Sequence, residues 1–190
     1  MRHDHRLDGA RYRLRPAARD DSAFITALRA DPELGRYLNR SSGRVEDQDA
    51  WFDRYLQRPD DIYLVVEDMR TGAPEGTIGL YRDPEGRTEW GRWILRKGSL
   101  AAVESVVLLY RLAFDVLGLD RVVCRTLAAN TPVVSFHASC GLTTRDTLLG
   151  YVTLDGVPHD AVEQELTHEQ WATVRPRLER LAAGMARRTP

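Results

Sequence analysis

Lysine is almost missing from this chain. Lys97 is the one lysine among 190 residues, and the other basic side chains are all arginines. Acidic and basic residues nearly cancel, 28 against 27. No dense basic run appears, which argues against a nucleic-acid partner. Cysteine is scarce as well. Cys124 and Cys140 are too few for a disulfide framework, so they read as reduced thiols of a cytoplasmic protein. No apolar run is long enough for a membrane. The most apolar stretch, VESVVLLYRLAFDVLGL, is broken by Glu104, Arg111 and Asp115 and falls short of the about 20 residues a span requires. The opening MRHDHRLDGA lacks an apolar centre, so no signal peptide is expected. Residues 1–10 read as a disordered tail, 11–184 as a single domain and 185–190 as a basic tail. His3 and His5 fit a solvated tail better than a metal site, and His159 and His168 have no partners at ligand spacing, so no metal is expected. Two phosphate-binding motifs are also missing, the Walker loop and the Gly-x-Gly-x-x-Gly fingerprint.

What is present is a regular alternation of elements. YRLRPA (12–17) alternates as a strand does. Helical spacing follows from about residue 21 and again over 41–57, where Trp51, Phe52 and Tyr55 share a face. DIYLVVED (61–68), GTIGLYRD (76–83) and RTEWGRWIL (87–95) predict an antiparallel meander, since turn residues separate them. Residues 100–117 keep helical apolar spacing, with Gly118 as terminator. RVVCRTL (121–127) reads as a buried strand. NTPVVSFHASCG predicts a short helix with Thr131 as N-cap, Pro132 in its first position and Gly141 past its end. A hairpin turning at Asp155-Gly156 and a last helix, broken or restarted at Pro176, complete the chain.

Strand 87–95, helix and strand 121–127 form a βαβ unit, so those two strands should be parallel neighbours in a mixed sheet. A strand feeding directly into a helix presents unpaired N–H groups and the positive end of the helix dipole, which makes an anion site. The junction is Arg96-Lys97-Gly98-Ser99-Leu100-Ala101. Gly98 permits close backbone approach, and Arg96 and Lys97 add cations suited to a diphosphate. The bland alternative is a solvated basic loop capping a helix.

With this element order, NTPVVSFHASCG and the closing DGVPHDAVEQEL…W, the chain resembles the GNAT superfamily of acetyl-CoA-dependent N-acetyltransferases over residues 12–172. The nearer likeness is to its branch of ribosomal-protein and amino-sugar acetyltransferases. The resemblance implies an α/β fold: one domain with a central, twisted, mixed sheet of about seven strands flanked by helices. It makes acetyl-CoA the expected cosubstrate, its pyrophosphate held by the amides of 96–101. In the family's loop, Gln/Arg-x-x-Gly-x-Gly/Ala, Arg96 and Ala101 fit, while Ser99 stands where a glycine belongs and the glycine comes one residue earlier.

Roles follow from the same resemblance. Glu89 would assist loss of the acceptor's proton, and His137, where many relatives carry tyrosine, would protonate the departing thiolate. The Ile94 amide would polarise the thioester carbonyl, and Asn130 would touch the CoA arm. By period-two alternation Trp93 shares Glu89's face and would wall the pocket. The acceptor would lie against the first two helices, with Arg36, Asn39, Trp51 and Tyr81 as candidate contacts. Plain packing is the competing role for Trp51. No nucleophile is paired with a base, so direct attack by a primary amine in a ternary complex is expected. A small amine, such as a free or nucleotide-linked amino sugar, is favoured over a protein N-terminus, the ribosomal-protein type of acceptor. A non-catalytic CoA-binding or interaction module is the rival from another class. Monomer and homodimer are both compatible with the sequence.

Overall fold

The computed structural model describes residues 3–38 and 42–187. Its centre is one sheet of eight strands in the order β1-β2-β3-β4-β5-β6-β8-β7. These are β1 (Leu7–Asp8), β2 (Tyr12–Pro16), β3 (Asp61–Asp68), β4 (Pro74–Arg82), β5 (Thr88–Leu95), β6 (Arg121–Leu127), β7 (Thr143–Leu154) and β8 (Val157–Thr167). Five helices accompany them: α1 (Ser22–Ala30), α2 (Val45–Tyr55), α3 (Ala102–Tyr110), α4 (Thr131–Ser139) and α5 (His168–Arg187). The mixed α/β architecture matches expectation. The strand beyond the expected seven is β1, which lies within residues expected to be a tail. It pairs antiparallel with β2, Leu7 opposite Leu14.

β3 shows why the sheet is covered on both sides. Its odd and even residues are both buried. Ile62, Leu64 and Val66 join the large core around α3 and α5, whereas Tyr63 and Val65 join a second cluster with Ile25, Phe52 and Tyr55 from α1 and α2. Burying each such aliphatic side chain contributes about 1.5–3 kcal/mol. A strand covered on both faces therefore reads as a continuous apolar run.

Several local expectations shift for physical reasons. The helix expected over 100–117 is α-helical only to Tyr110. It then widens into a π turn, Arg111–Val116, and stops at Gly118 with φ 62°. The N-cap position of α4 is Asn130, one residue earlier than read and without a side-chain capping bond, which moves Pro132 to the second helical position. Pro176 does not break α5. A proline inside a helix costs about 3 kcal/mol. Trp171, Leu178, Ala182 and Ala186 offset that cost by burying one stripe of the helix. The Trp171 indole N–H also donates to Asp115 at 3.1 Å, and Arg175 pairs with the same carboxylate at 2.9 Å. The last hairpin turns where expected, with φ 51° at Asp155 and 80° at Gly156, the left-handed pair of a two-residue hairpin turn.

Positioning of the site depends on β5. On one side β5 pairs with β4 at six positions, and on the other it meets β6 in parallel only at Glu89↔Val123. The β4 ladder is irregular between Thr77 and Gly79: Thr77 faces Ile94, but Gly79 faces Gly91. β5 thus carries one extra residue, and Arg92 takes φ 50°. Such a bulge bends and twists a strand, and here β5 leaves β6 beyond Glu89. The main-chain N–H and C=O groups along that edge are left open to a slot.

Candidate active site

A cavity of about 830 Å³ follows the β5–β6 seam and opens between α1 and α2. Trp51, Tyr81, Trp93, Ile94, Asn130 and His137, all singled out from sequence, line it. Residues 96–101 lie outside this lining, as does Arg36, whose guanidinium sits 5.1 Å above the Tyr37 ring. Asn39 falls outside the described residues.

The bulge overturns one geometric expectation. Trp93 does not share Glu89's face, because the extra residue at Arg92 reverses the alternation. Trp93 instead joins Trp90 on the α3–α4 side. Its indole N–H donates to Ser105 Oγ at 3.2 Å, and its ring stacks on Phe136 at 5.1 Å. Arg92 turns to the opposite side. There it pairs with Asp61 at 2.9 Å and lies 4.4 Å over the Tyr81 ring, with Trp51 and Tyr63 at 5.3 and 5.6 Å.

Glu89 sits at the point where the strands part, only 8% exposed. The Tyr81 hydroxyl donates to Oε1 at 3.0 Å, and Arg125 donates to Oε2 at 2.6 Å. Arg125 also holds Asp83 and Glu163, at 2.9 and 2.8 Å, and Arg87 bridges the same two carboxylates. Burial pushes the Glu89 carboxyl up to about 7, and the neighbouring carboxylates of Asp83 and Glu163 add to the rise. The Tyr81 hydrogen bond pulls the other way. A carboxylate that gains and loses its proton near neutrality suits general base chemistry. Arg125 was not foreseen. Its signal was a charged residue inside a strand that otherwise reads as buried; its partners come from β5, β8 and the turn after β4.

His137 is 3% exposed and packed 4.7 Å from the Trp90 ring and 5.6 Å from that of Trp93. Burial holds its pKa down to about 4, so the ring is neutral at pH 7. Nδ1 lies 3.1 Å from Cys124 Sγ and 3.4 Å from Thr126 Oγ1. Burial pushes the Cys124 thiol up to about 12, so it keeps its proton and can donate to Nδ1. That pairing leaves the ring proton on Nε2, a buried atom, and the Gln164 side chain beside the ring partly offsets the lowering. His137 is therefore a neutral imidazole in the cavity lining rather than an imidazolium. Cys140 is buried too, its pKa raised to about 11, and remains an inert thiol.

The 96–101 junction is a tight turn, with φ 79° at Gly98 and the Ser99 N–H bonded to the Arg96 carbonyl at 3.1 Å. No side chain caps α3, so its first-turn amides keep their capacity to hold an anion. The cationic side chains are engaged elsewhere. Arg96 pairs with Glu75 at 3.1 Å, and Lys97 reaches Glu33 at 2.9 Å and Asp31 at 3.3 Å. Main-chain groups, and not these charges, would make the grip. Among the described residues no cluster of His, Cys, Asp or Glu could hold a metal ion, and no helix is long and apolar enough to cross a membrane.

Solved structures share this architecture. An apo nucleotide-linked sugar GNAT, FdhC, superposes with a TM-score of 0.78 at 24% identity, covering 93% of this chain and 98% of that one. An acetyltransferase from T. thermophilus gives 0.77 at 28% identity, covering 93% and 96%. A spermidine N-acetyltransferase SpeG chimera from Vibrio cholerae and hSSAT gives 0.75 at 17% identity, covering 85% and 98%. No curated protein matches the chain. The family described as acetyltransferase (GNAT) domain matches residues 11–143, the span from β2 through the seam and α4. GNAT domains generally use acetyl-CoA as cosubstrate. With its split mixed sheet, its uncapped helix after β5 and this match, the chain belongs to the GNAT family and is an N-acetyltransferase.

Proposed function

We propose that this chain transfers the acetyl group of acetyl-CoA to a primary amine of a small molecule by direct attack, with Glu89 as the general base. One observation carries the reading. Glu89 is a buried carboxylate with a pKa near 7, anchored by Tyr81 and Arg125 where β5 and β6 part. The residues present fit the cosubstrate. The open edge of β5 offers strand-like hydrogen bonds to an extended arm, and the uncapped start of α3 offers amides to a pyrophosphate. Acetyl-CoA, when bound, supplies an acetyl group activated as a thioester.

The remaining work falls to this chain. An amine with a pKa of about 10 is mostly protonated at neutral pH and must lose that proton before attack. Glu89, or a water it orients, accepts the proton, and Arg125 and Tyr81 fix the carboxylate's direction. His137 presents its Nε2–H from the other face of the sheet, where it stabilises negative charge by hydrogen bonding. The sheet thus separates the two tasks: proton removal on the α1–α2 side and charge stabilisation on the α3–α4 side.

The test is release of free thiol from acetyl-CoA across a panel of amines and N-terminal peptides. Turnover with a small amine, lost in Glu89→Gln, supports the reading. Turnover with peptides alone would make it a protein N-terminal acetyltransferase. CoA binding without turnover on the whole panel would make it a binding module.

A further inference from the structure

The fold does not choose among acceptors, since both nucleotide-linked sugar and spermidine acetyltransferases share it. The charge of the cavity wall does choose. Across the whole chain acids slightly outnumber bases, 28 to 27. The cavity lining inverts that balance, with five arginines against two carboxylates, Glu33 and Asp47. Arg92 and Arg125 are neutralised by Asp61 and by Glu89, Asp83 and Glu163, so the excess lies with Arg29, Arg44 and Arg54 on the α1–α2 wall. Glu33 is itself held by Lys97.

The inversion has a structural origin. α2 is rich in acids, yet Asp49 and Asp53 turn away from the cavity to Ser22 and Arg19 on the α1 side. Arg54 of the same helix turns toward it, joined by Arg29 and by Arg44, whose pair with Glu46 at 3.4 Å is exposed and weak. Arg92 pairs with Asp61, a carboxylate that the exposed Arg58, outside the lining, also reaches at 3.7 Å. Trp51 adds a flat, half-buried aromatic face beside Arg92. A polycationic acceptor would meet like charge along this wall, at a cost in affinity. A phosphate or diphosphate would meet planar guanidinium donors whose geometry matches its oxygens.

We infer that the acceptor is an anionic amine, a phosphate-bearing small molecule such as an amino sugar phosphate or a nucleotide-linked amino sugar, read by the arginines of the α1–α2 wall. This deepens the proposed function and rests on it for the identity of the reacting group. Binding, however, is measured without turnover. The experiment is calorimetry on the full chain with the cosubstrate slot saturated by CoA, titrating glucosamine, glucosamine 1-phosphate and spermidine. The phosphate is expected to tighten binding at least about tenfold over the plain amino sugar, by charge-assisted hydrogen bonds. That gain should shrink as salt rises. Arg44→Glu and Arg54→Glu, both on exposed positions, should remove most of the gain while leaving CoA affinity unchanged. Equal binding of the two sugars, tighter binding of spermidine, or a phosphate gain that survives both substitutions would overturn the inference. Binding of the phosphate without acetyl transfer would sink the enzymatic reading and leave this one standing.

Discussion

Glu89 and Glu104 are both buried carboxylates whose pKa is raised chiefly by burial, yet they are satisfied by different partners. Glu104, in the first turn of α3, accepts from the main-chain N–H groups of Ala10 and Arg11, the latter at 3.0 Å. Gly9 makes room for it, since a Cβ there would collide with Oε1. Every contact of that carboxylate fastens the chain's first strands to α3. Glu89 is held by side chains, a hydroxyl and a guanidinium, and lies just behind the cavity wall that those two partners, Tyr81 and Arg125, line. Main-chain partners cannot move without moving the fold. Side-chain partners hold a charge in place and still let it exchange a proton. The comparison separates a carboxylate that fastens from one that reacts.

The largest effect expected is from Glu89→Gln. Loss of a general base lowers kcat by about 10²–10⁴-fold, with the fold retained and the melting temperature, compared below about pH 6 where Glu89 is itself protonated, nearly unmoved, as steady-state rates and thermal melts would show. A fall in stability with intact turnover would merge the two glutamates into one structural class. Glu104→Ala should do the reverse. Orphaning two buried amides costs about 1–3 kcal/mol of stability, read by denaturant titration, with turnover of the folded enzyme kept. Gly9→Ala should destabilise in the same range, about 1–3 kcal/mol, by overpacking the same contact.

The pH dependence sharpens the contrast further. Glu89 must be ionised to act, so kcat/KM should climb with pH through about 7, close to tenfold per unit below it. His137 adds no limb in that range, because its pKa lies near 4. Stability runs the other way. A carboxyl whose folded pKa is raised above its unfolded value makes its full contribution below the unfolded value of 4.5 and loses it as pH rises through about 7. Both slopes should vanish in Glu89→Gln. The smallest effect is expected at the loop after β5. Arg96→Ala and Lys97→Ala should change the KM for acetyl-CoA by less than about threefold, because exposed ion pairs contribute little and these charges already face carboxylates. A larger loss would show that side chains share the grip with the amides.

The meander, the βαβ unit, α4 and the Asp155-Gly156 hairpin were legible because each is set by local signals: alternation, helical spacing and turn chemistry. The bulge at Arg92 was not. Alternation assumes one residue per pleat, and Gly91, the one hint of a bulge in TEWGRWIL, does not say where the extra residue falls. The face of Trp93 was misread through that single shift, and the destination of Arg92 stayed hidden with it. Glu89 was picked out through family likeness, but its anchoring by Arg125, itself held by Asp83 and Glu163, was invisible, since those residues come from β6, the turn after β4 and β8. The destination of Lys97 was hidden for the same reason. Its partners Asp31 and Glu33 are more than sixty positions away, and charge type alone does not say which way a flexible side chain swings.

That solitary lysine has a practical consequence. The chain bears a single ε-amino group, so once the more acidic α-amino group has been blocked near neutral pH, an amine-directed reagent modifies one side chain in the whole molecule. A fluorophore attached there would sit on the bond between the loop after β5 and the rim below α1. It would report from one place on both ends of the slot.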